Sequence, residues 1–248
     1  KTAYEIPKRD WSSDVCSSDL EAELYVRRAA LRVEHEEWTF AETDLRRAQT
    51  LEPRSPRVIR GLGALNLARG WFPAAKKYFD TALDLEPRNA ETLVLRARAN
   101  AALGETEAAE ADYVAALHLL TSPSPDLYLA RAALPVAPAR ALAAIDEGLA
   151  RIGPAAPLLE RALALELTLG RTDAALQRLD ALAATAERKE TFLKRRGDIL
   201  TGAGRAGEAR AAYEAALAAI AALPEWLQES PATAQLHTEL RRLAGHSH

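Results

Sequence analysis

Histidine and cysteine, the residues that most often carry catalysis or bind transition metals, are few and scattered in this chain. Of five histidines, only His246 and His248 stand close together, and no further ligand types lie beside them. The single cysteine, Cys16, has no second thiol as a partner. The pattern predicts no catalytic residues, no metal site and no cofactor, and therefore a protein that is not an enzyme.

Glycine pairs and basic residues do not indicate nucleotide or nucleic-acid binding. The pairs Gly61/Gly63 and Gly202/Gly204 lack the preceding strand and the following Lys-Ser/Thr of a phosphate loop. Arginine pairs are dispersed, the formal net charge is -3 and the pI is near 6.0, which excludes a generally basic surface. No apolar run reaches the roughly 18 residues of a membrane span, so we expect no membrane insertion.

Residues 1–20 differ from everything that follows and resemble the translation of a sequencing-library adapter primer. The fixed blocks of such a primer would encode Lys1–Ile6 and Asp10–Leu20 in one reading frame, and the chain contains no methionine. We therefore expect a non-native or disordered tail over 1–20 and a natural N-terminus that is missing. The localisation stays unknown, between a bacterial cytoplasm and a periplasm.

The elements that follow are organised by a repeat of 34 residues. The sequence LEPR at residues 51–54 recurs at 85–88, and Gly70 and Gly104 share the same offset, as do Gly170 and Gly204. A period of this length is typical of solenoids built from paired helices. The spacing predicts that each unit holds two amphipathic helices joined by a short turn.

The repeat resembles the tetratricopeptide repeat (TPR) family, most clearly over residues 56–87 and nearly as well over 190–224. The resemblance assigns small residues to the close approaches between helices, aromatic residues to the wedges between hairpins, and a proline to the end of a unit. The residues that take these structural positions are Gly63, Ala75, Phe79, Ala82, Pro87, Ala109, Tyr113, Ala116, Gly197, Ala209, Tyr213 and Ala216.

The resemblance implies an all-α fold, a right-handed α-solenoid of about six hairpins with a C-terminal capping helix. The repeat array would span 21–223, with hairpins at about 22–55, 56–89, 90–123, 124–155, 156–189 and 190–223. Residues 224–248 would form a linker, the capping helix and a short tail. The fourth hairpin is irregular because Pro135 and Pro138 replace the usual glycine turn, which predicts a bend or a weak joint.

In this family the first helices of successive hairpins line a concave groove. Projected onto that groove, Arg57, Arg60 and Arg98 form a cationic spot beside the apolar Val94 and Leu67. A guanidinium suits a carboxylate, so we expect an acidic peptide or protein partner. The predicted function is a non-enzymatic interaction scaffold. Two alternatives stay open: a regulatory arm of a larger enzyme or assembly protein whose upstream part is missing, and self-association of the repeats.

Overall fold

The computed structural model describes residues 13–184 and 186–245, and every regular element within them is an α-helix. The helices fall into two compact units, and the chain passes from the first to the second between Thr121 and Ser122. Unit 1 contains α1 (Ser13–Glu34), α2 (Trp38–Leu51), α3 (Pro56–Ala68), α4 (Phe72–Leu85), α5 (Ala90–Ala102) and α6 (Thr106–Leu119). Unit 2 contains α7 (Pro125–Ala132), α8 (Pro138–Ile152), α9 (Ala156–Thr168), α10 (Thr172–Ala184), α11 (Glu190–Gly202), α12 (Ala206–Ala221), α13 (Glu225–Gln228) and α14 (Pro231–Leu243).

Consecutive helices pack in pairs within each unit. In unit 1 the pairs are α1 with α2, α3 with α4 and α5 with α6, and in unit 2 they are α7 with α8, α9 with α10 and α11 with α12. The first helices of neighbouring hairpins also touch, since α3 contacts both α1 and α5. The predicted all-α architecture of six helical hairpins is therefore confirmed.

Helix α1 is longer than the sequence predicted. It begins at Ser13, so residues 13–20, which we assigned to a tail, are helical. No glycine or proline occurs between Ser13 and Glu34, and nothing in the local sequence therefore stops the helix from continuing towards the N-terminus. Residues 1–12 lie outside the described residues, and the non-native origin of 1–20 stays a prediction.

The two helices of a hairpin approach closely where a glycine faces an aromatic ring. An added Cβ on Gly63 would lie 2.5 Å from Cε1 of Phe79, and one on Gly197 would overlap the ring of Tyr213. Both aromatic side chains are buried, Phe79 completely. A methyl group at either glycine would force the paired helices apart or displace the ring.

In the irregular fourth hairpin the two helices approach as closely, but the aromatic residue lies on the first helix and the glycine on the second. Its first helix, α7, has eight residues, and Tyr128 on that helix is fully buried. The facing glycine, Gly148, lies on the second helix, where an added Cβ would lie 2.8 Å from Cγ of Tyr128. A short first helix thus still packs tightly against its partner.

The residues at the remaining repeat positions are buried alanines, one buried tyrosine and one proline in the link between two hairpins. Six alanines at these positions are at most 3% exposed: Ala75, Ala82, Ala109, Ala116, Ala209 and Ala216. Tyr113 is buried to a similar extent, whereas Pro87 is exposed between α4 and α5. Because proline cannot continue a helix, this link separates one hairpin from the next.

Helix α14 covers the last hairpin of unit 2. Leu240 is fully buried in a cluster that includes Tyr213 and Ile220, and Leu236 and Leu243 pack against the same cluster. These three leucines follow the spacing of one helical face. The predicted C-terminal capping helix is therefore present and in contact with α12.

Ion pairs between partly exposed arginines and buried aspartates join helices in unit 1, a feature that we did not predict from the sequence. Arg96 of α5 donates two hydrogen bonds to Asp112 of α6, from Nε at 2.9 Å and from Nη2 at 2.6 Å. In the first hairpin the buried Asp44 accepts hydrogen bonds from Arg28 and Arg32 in a similar way. Asp112 raises the pKa of Arg96 further above its usual value, because its hydrogen bonds favour the charged guanidinium.

The turns between the paired helices of five hairpins contain a residue in the left-handed conformation, whereas the link between α7 and α8 in the fourth hairpin contains none. Gly204 has φ 73°, and Gly70, Gly104 and Gly170 have similar values. In the first hairpin a non-glycine residue, Glu36, takes this conformation with φ 59°. Only glycine adopts it without steric cost.

We predict opposite effects of alanine at two neighbouring glycines in the α11–α12 turn. Gly204→Ala should lower the free energy of unfolding by about 1 kcal/mol because φ is positive there. Gly202→Ala, at the end of α11, should leave it unchanged or raise it by up to about 1 kcal/mol. An added Cβ meets nothing within 4 Å at either site, so urea titration compares backbone effects alone. Equal destabilisation by both substitutions would contradict the turn geometry.

A second prediction concerns the two carboxylates that bind Arg96. Asp112→Ala should destabilise the protein by about 3 kcal/mol because it leaves the amide of Asn100 without its acceptor and the partly buried guanidinium of Arg96 without its buried partner. Asp80→Ala removes an exposed partner of the same arginine and should cost under about 1 kcal/mol. Both values come from denaturant titration. Similar losses for both variants would show that Asp112 is not the main support of Arg96.

Candidate functional site

The first helices of the three hairpins of unit 1 line a cavity of about 720 Å³. We call this cavity, between α1, α3 and α5, the α1–α3–α5 groove. Its apolar lining is built largely from valine, leucine and small residues, among them Val26, Ala30, Val33, Gly61, Ala64 and Leu67. Small side chains on adjacent helices leave room between them for a side chain from another molecule.

A second cavity of about 530 Å³ adjoins the groove. It shares Val26, Arg57 and Arg60 with the groove and adds three charged residues, Glu23, Arg27 and Glu52. The two cavities therefore form one concave surface, which is largely apolar in the groove and charged beside the middle of α1 and the start of α3.

Arg57 is already engaged in an ion pair. Its Nη1 donates a hydrogen bond of 2.8 Å to Oε2 of Glu23, which lies on the neighbouring helix α1. Glu23 also accepts hydrogen bonds from Arg27. The pKa of the Glu23 carboxyl lies below its usual value, mainly because of Arg27 and to a smaller extent because of Arg57. This pair joins the first helices of hairpins one and two.

Arg60 is engaged in the same manner on the other side of α3. Its Nη2 lies 3.1 Å from Oε2 of Glu91 on α5, and its side chain is only 15% exposed. The long aliphatic part of such a side chain commonly covers apolar surface while the guanidinium stays charged. The pair joins the first helices of hairpins two and three.

Arg98 differs from the other two arginines. Its side chain lines the groove and is exposed, and no hydrogen bond or ion pair joins it to another residue in the described part of the chain. Its charge acts on Tyr113 of α6: burial raises the pKa of that phenol, and Arg98 works in the opposite direction. Arg98 is thus the groove arginine with an available guanidinium.

The structure brings together four of the five residues that we expected in the groove and places the fifth elsewhere. Arg57, Arg60, Arg98 and Leu67 line the cavity. Val94 instead packs against the core cluster of Leu83, Leu93 and Ala116, and Leu95 lines the groove in its place. One residue along an α-helix turns the side chain by about 100°, which is enough to exchange a groove position for a core position.

The described residues contain no group of three or more histidine, cysteine, aspartate or glutamate side chains placed to hold a metal ion. Among the helices that the structure describes, none combines the length and the apolar character needed to cross a membrane. The groove offers apolar contacts and charged side chains, which can bind another molecule.

A family model described as a tetratricopeptide repeat-like domain matches residues 159–229, which lie in unit 2. The match begins within α9 and ends after α13, and the groove lies outside it. A search of curated proteins finds no match. The TPR resemblance drawn from the sequence is thus confirmed by a match in the second half of the chain.

Solved structures of TPR proteins are similar to this chain in fold. The C-terminal part of a TPR repeat-containing protein from Cytophaga hutchinsonii matches with a TM-score of 0.64 and 12% identity, over 79% of each chain. The pilF protein of Pseudomonas aeruginosa matches with a TM-score of 0.62 and 15% identity, over 91% of this chain and 99% of that one. YrrB, titled a TPR protein with an unusual peptide-binding site, matches with a TM-score of 0.52 and 13% identity, over 80% and 97%.

We predict that the Arg60–Glu91 ion pair contributes little to stability. A double-mutant cycle with Arg60→Gln and Glu91→Gln should give a coupling free energy of about 0.2–1 kcal/mol, because Glu91 is well exposed to water. The coupling should shrink as salt is added to the denaturant titration. A cycle that combines Glu91→Gln with Arg88→Gln, at an exposed arginine in the α4–α5 link, should show no coupling. A coupling above about 2 kcal/mol would contradict this prediction.

Proposed function

The chain has the fold of the tetratricopeptide repeat proteins, and on this premise we propose that it is a non-enzymatic protein-interaction scaffold. Its α1–α3–α5 groove binds a peptide segment of a partner protein. The observation that carries the proposal is the open cavity of about 720 Å³ at the place where three first helices lie side by side.

The fold itself supports an interaction role in general terms. TPR proteins are typically non-catalytic scaffolds. A peptide-binding site is named for the similar protein YrrB. This supports a peptide as the kind of ligand to test and does not identify the segment.

The lining of the groove suits apolar side chains. Val26, Val33 and Leu67 are partly buried, and Ala64 and Gly61 between them occupy little space. Burying one leucine-sized side chain from water is worth about 1.5–3 kcal/mol. A segment that inserts two or three such side chains therefore gains enough to offset much of the entropy lost on binding. An amphipathic helix presents apolar side chains in this way.

The test is to fill the groove without disturbing the fold. Random peptides displayed on phage are selected on the wild-type protein, and each selected peptide is then titrated against Ala64→Trp. The indole should occupy the space that the peptide needs and weaken binding at least about tenfold, which corresponds to about 1.4 kcal/mol. Ala111→Trp is the matched control, because Ala111 is exposed on α6 and does not line the groove.

Two further measurements define the outcome. Circular dichroism and thermal unfolding should show that both tryptophan variants keep the helical fold. Peptides that bind the wild type and Ala64→Trp equally well, or a selection that recovers no specific peptide, would overturn the groove as the binding site.

A further inference from the structure

We propose that the α1–α3–α5 groove selects a segment that carries one carboxylate among apolar side chains, and that it discriminates against segments rich in acidic residues. Arg98 binds the single carboxylate. Glu23 and Glu91 hold Arg57 and Arg60 and so remove them from ligand binding. This inference rests on the proposed function and names the chemical class of the ligand for the same groove.

The first step is the availability of Arg98. Its guanidinium is exposed at the groove, and neither a hydrogen bond nor an ion pair ties it to the described residues. A guanidinium binds a carboxylate through two parallel hydrogen bonds, and binding here breaks no existing ion pair. Arg98 can therefore bind a ligand carboxylate without the loss of an ion pair within the protein.

The second step is the engagement of the other two arginines. Arg57 lies 2.8 Å from Glu23, and Arg60 lies 3.1 Å from Glu91. A ligand carboxylate that approaches either arginine must displace the protein's own carboxylate or lie beside it. Displacement exchanges one ion pair for another, and a ligand carboxylate that lies beside the glutamate is repelled by its like charge. Additional acidic residues in the ligand therefore add little to the binding free energy.

The third step is the charge balance of the surface. Across the two cavities that form this surface, the lining arginines are Arg27, Arg57, Arg60 and Arg98, and the lining glutamates are Glu23, Glu34, Glu52 and Glu91. Four arginines thus face four glutamates. A balanced surface does not attract a strongly acidic segment from a distance, whereas a local guanidinium still recognises one carboxylate.

The fourth step is the apolar surface around Arg98. Leu95 lies one helical turn before Arg98 on α5, and Leu67 on α3 lines the same cavity. A ligand whose carboxylate binds Arg98 can therefore place apolar side chains, next to that carboxylate in its own sequence, against Leu67 and Leu95. Partial exclusion of water at such a place strengthens the charged hydrogen bonds.

The experiment uses a peptide recovered by selection on the wild-type protein and shown to lose binding to Ala64→Trp. It is synthesised in three forms: with a single glutamate, with glutamine in that place, and with glutamate at every polar position. Each form is titrated by fluorescence anisotropy against the wild type, Arg98→Gln and Glu91→Gln. Arg88→Gln serves as the matched control, since Arg88 is exposed outside the groove.

The wild type should bind the single-glutamate form about tenfold more tightly than the glutamine form, as expected for a hydrogen bond to a charged group. It should bind the multiply acidic form no more tightly than the single-glutamate form. Arg98→Gln should abolish the preference for glutamate, and Arg88→Gln should retain it. Glu91→Gln releases Arg60 and should raise affinity for the multiply acidic form several-fold, with little change for the single-glutamate form.

The outcomes separate the two proposals. Peptides that depend on Ala64 but keep their glutamate preference in Arg98→Gln would overturn the role of Arg98 and leave the groove as a binding site. A multiply acidic peptide that binds the wild type most tightly, with no gain in Glu91→Gln, would overturn the role of the internal ion pairs. Failure to recover any peptide that depends on Ala64 would overturn the proposed function, and this inference with it.

Discussion

The close approach of two helices within each hairpin is the constraint on which the other features depend. In the second and sixth hairpins an aromatic ring, Phe79 or Tyr213, lies where the facing glycine leaves out its Cβ. Interiors are packed so densely that even one added methyl group must displace a neighbour. The contact therefore fixes how the two helices of a hairpin face each other, and it determines which face of the first helix is left for solvent.

That remaining face contributes to a groove because the first helices of unit 1 lie next to each other. Since α3 touches α1 and α5, their uncovered faces combine into one concave surface. Ala64 and Gly61 keep the surface open, and the ion pairs of Arg57 and Arg60 connect one first helix to the next. Interactions between the hairpins and the properties of the groove thus involve the same residues.

The fourth hairpin shows that the packing requirement, rather than a fixed residue order, is maintained. Helix α7 has only eight residues, and the segment that links it to α8 carries Pro135 instead of the usual glycine. The aromatic side chain, Tyr128, lies on the first helix, and the glycine that leaves space for its ring, Gly148, lies on the second. The same physical contact is obtained from a different sequence pattern, so the hairpin is kept although its turn is irregular.

The sequence by itself determined the helical hairpins, because a 34-residue period and the left-handed glycines are local properties of the chain. The resemblance to the TPR family, rather than the period alone, predicted that Arg57, Arg60, Arg98 and Leu67 would share one surface, because they take the positions by which first helices line the groove in that family. It did not reveal that Val94 turns into the core, because a rotation of about 100° separates it from Leu95. Only the tertiary structure decided which charges pair: Glu23 with Arg57, Glu91 with Arg60, and Asp112 with Arg96. Each of these pairs joins two different helices, and side-chain distances between helices depend on how the helices pack.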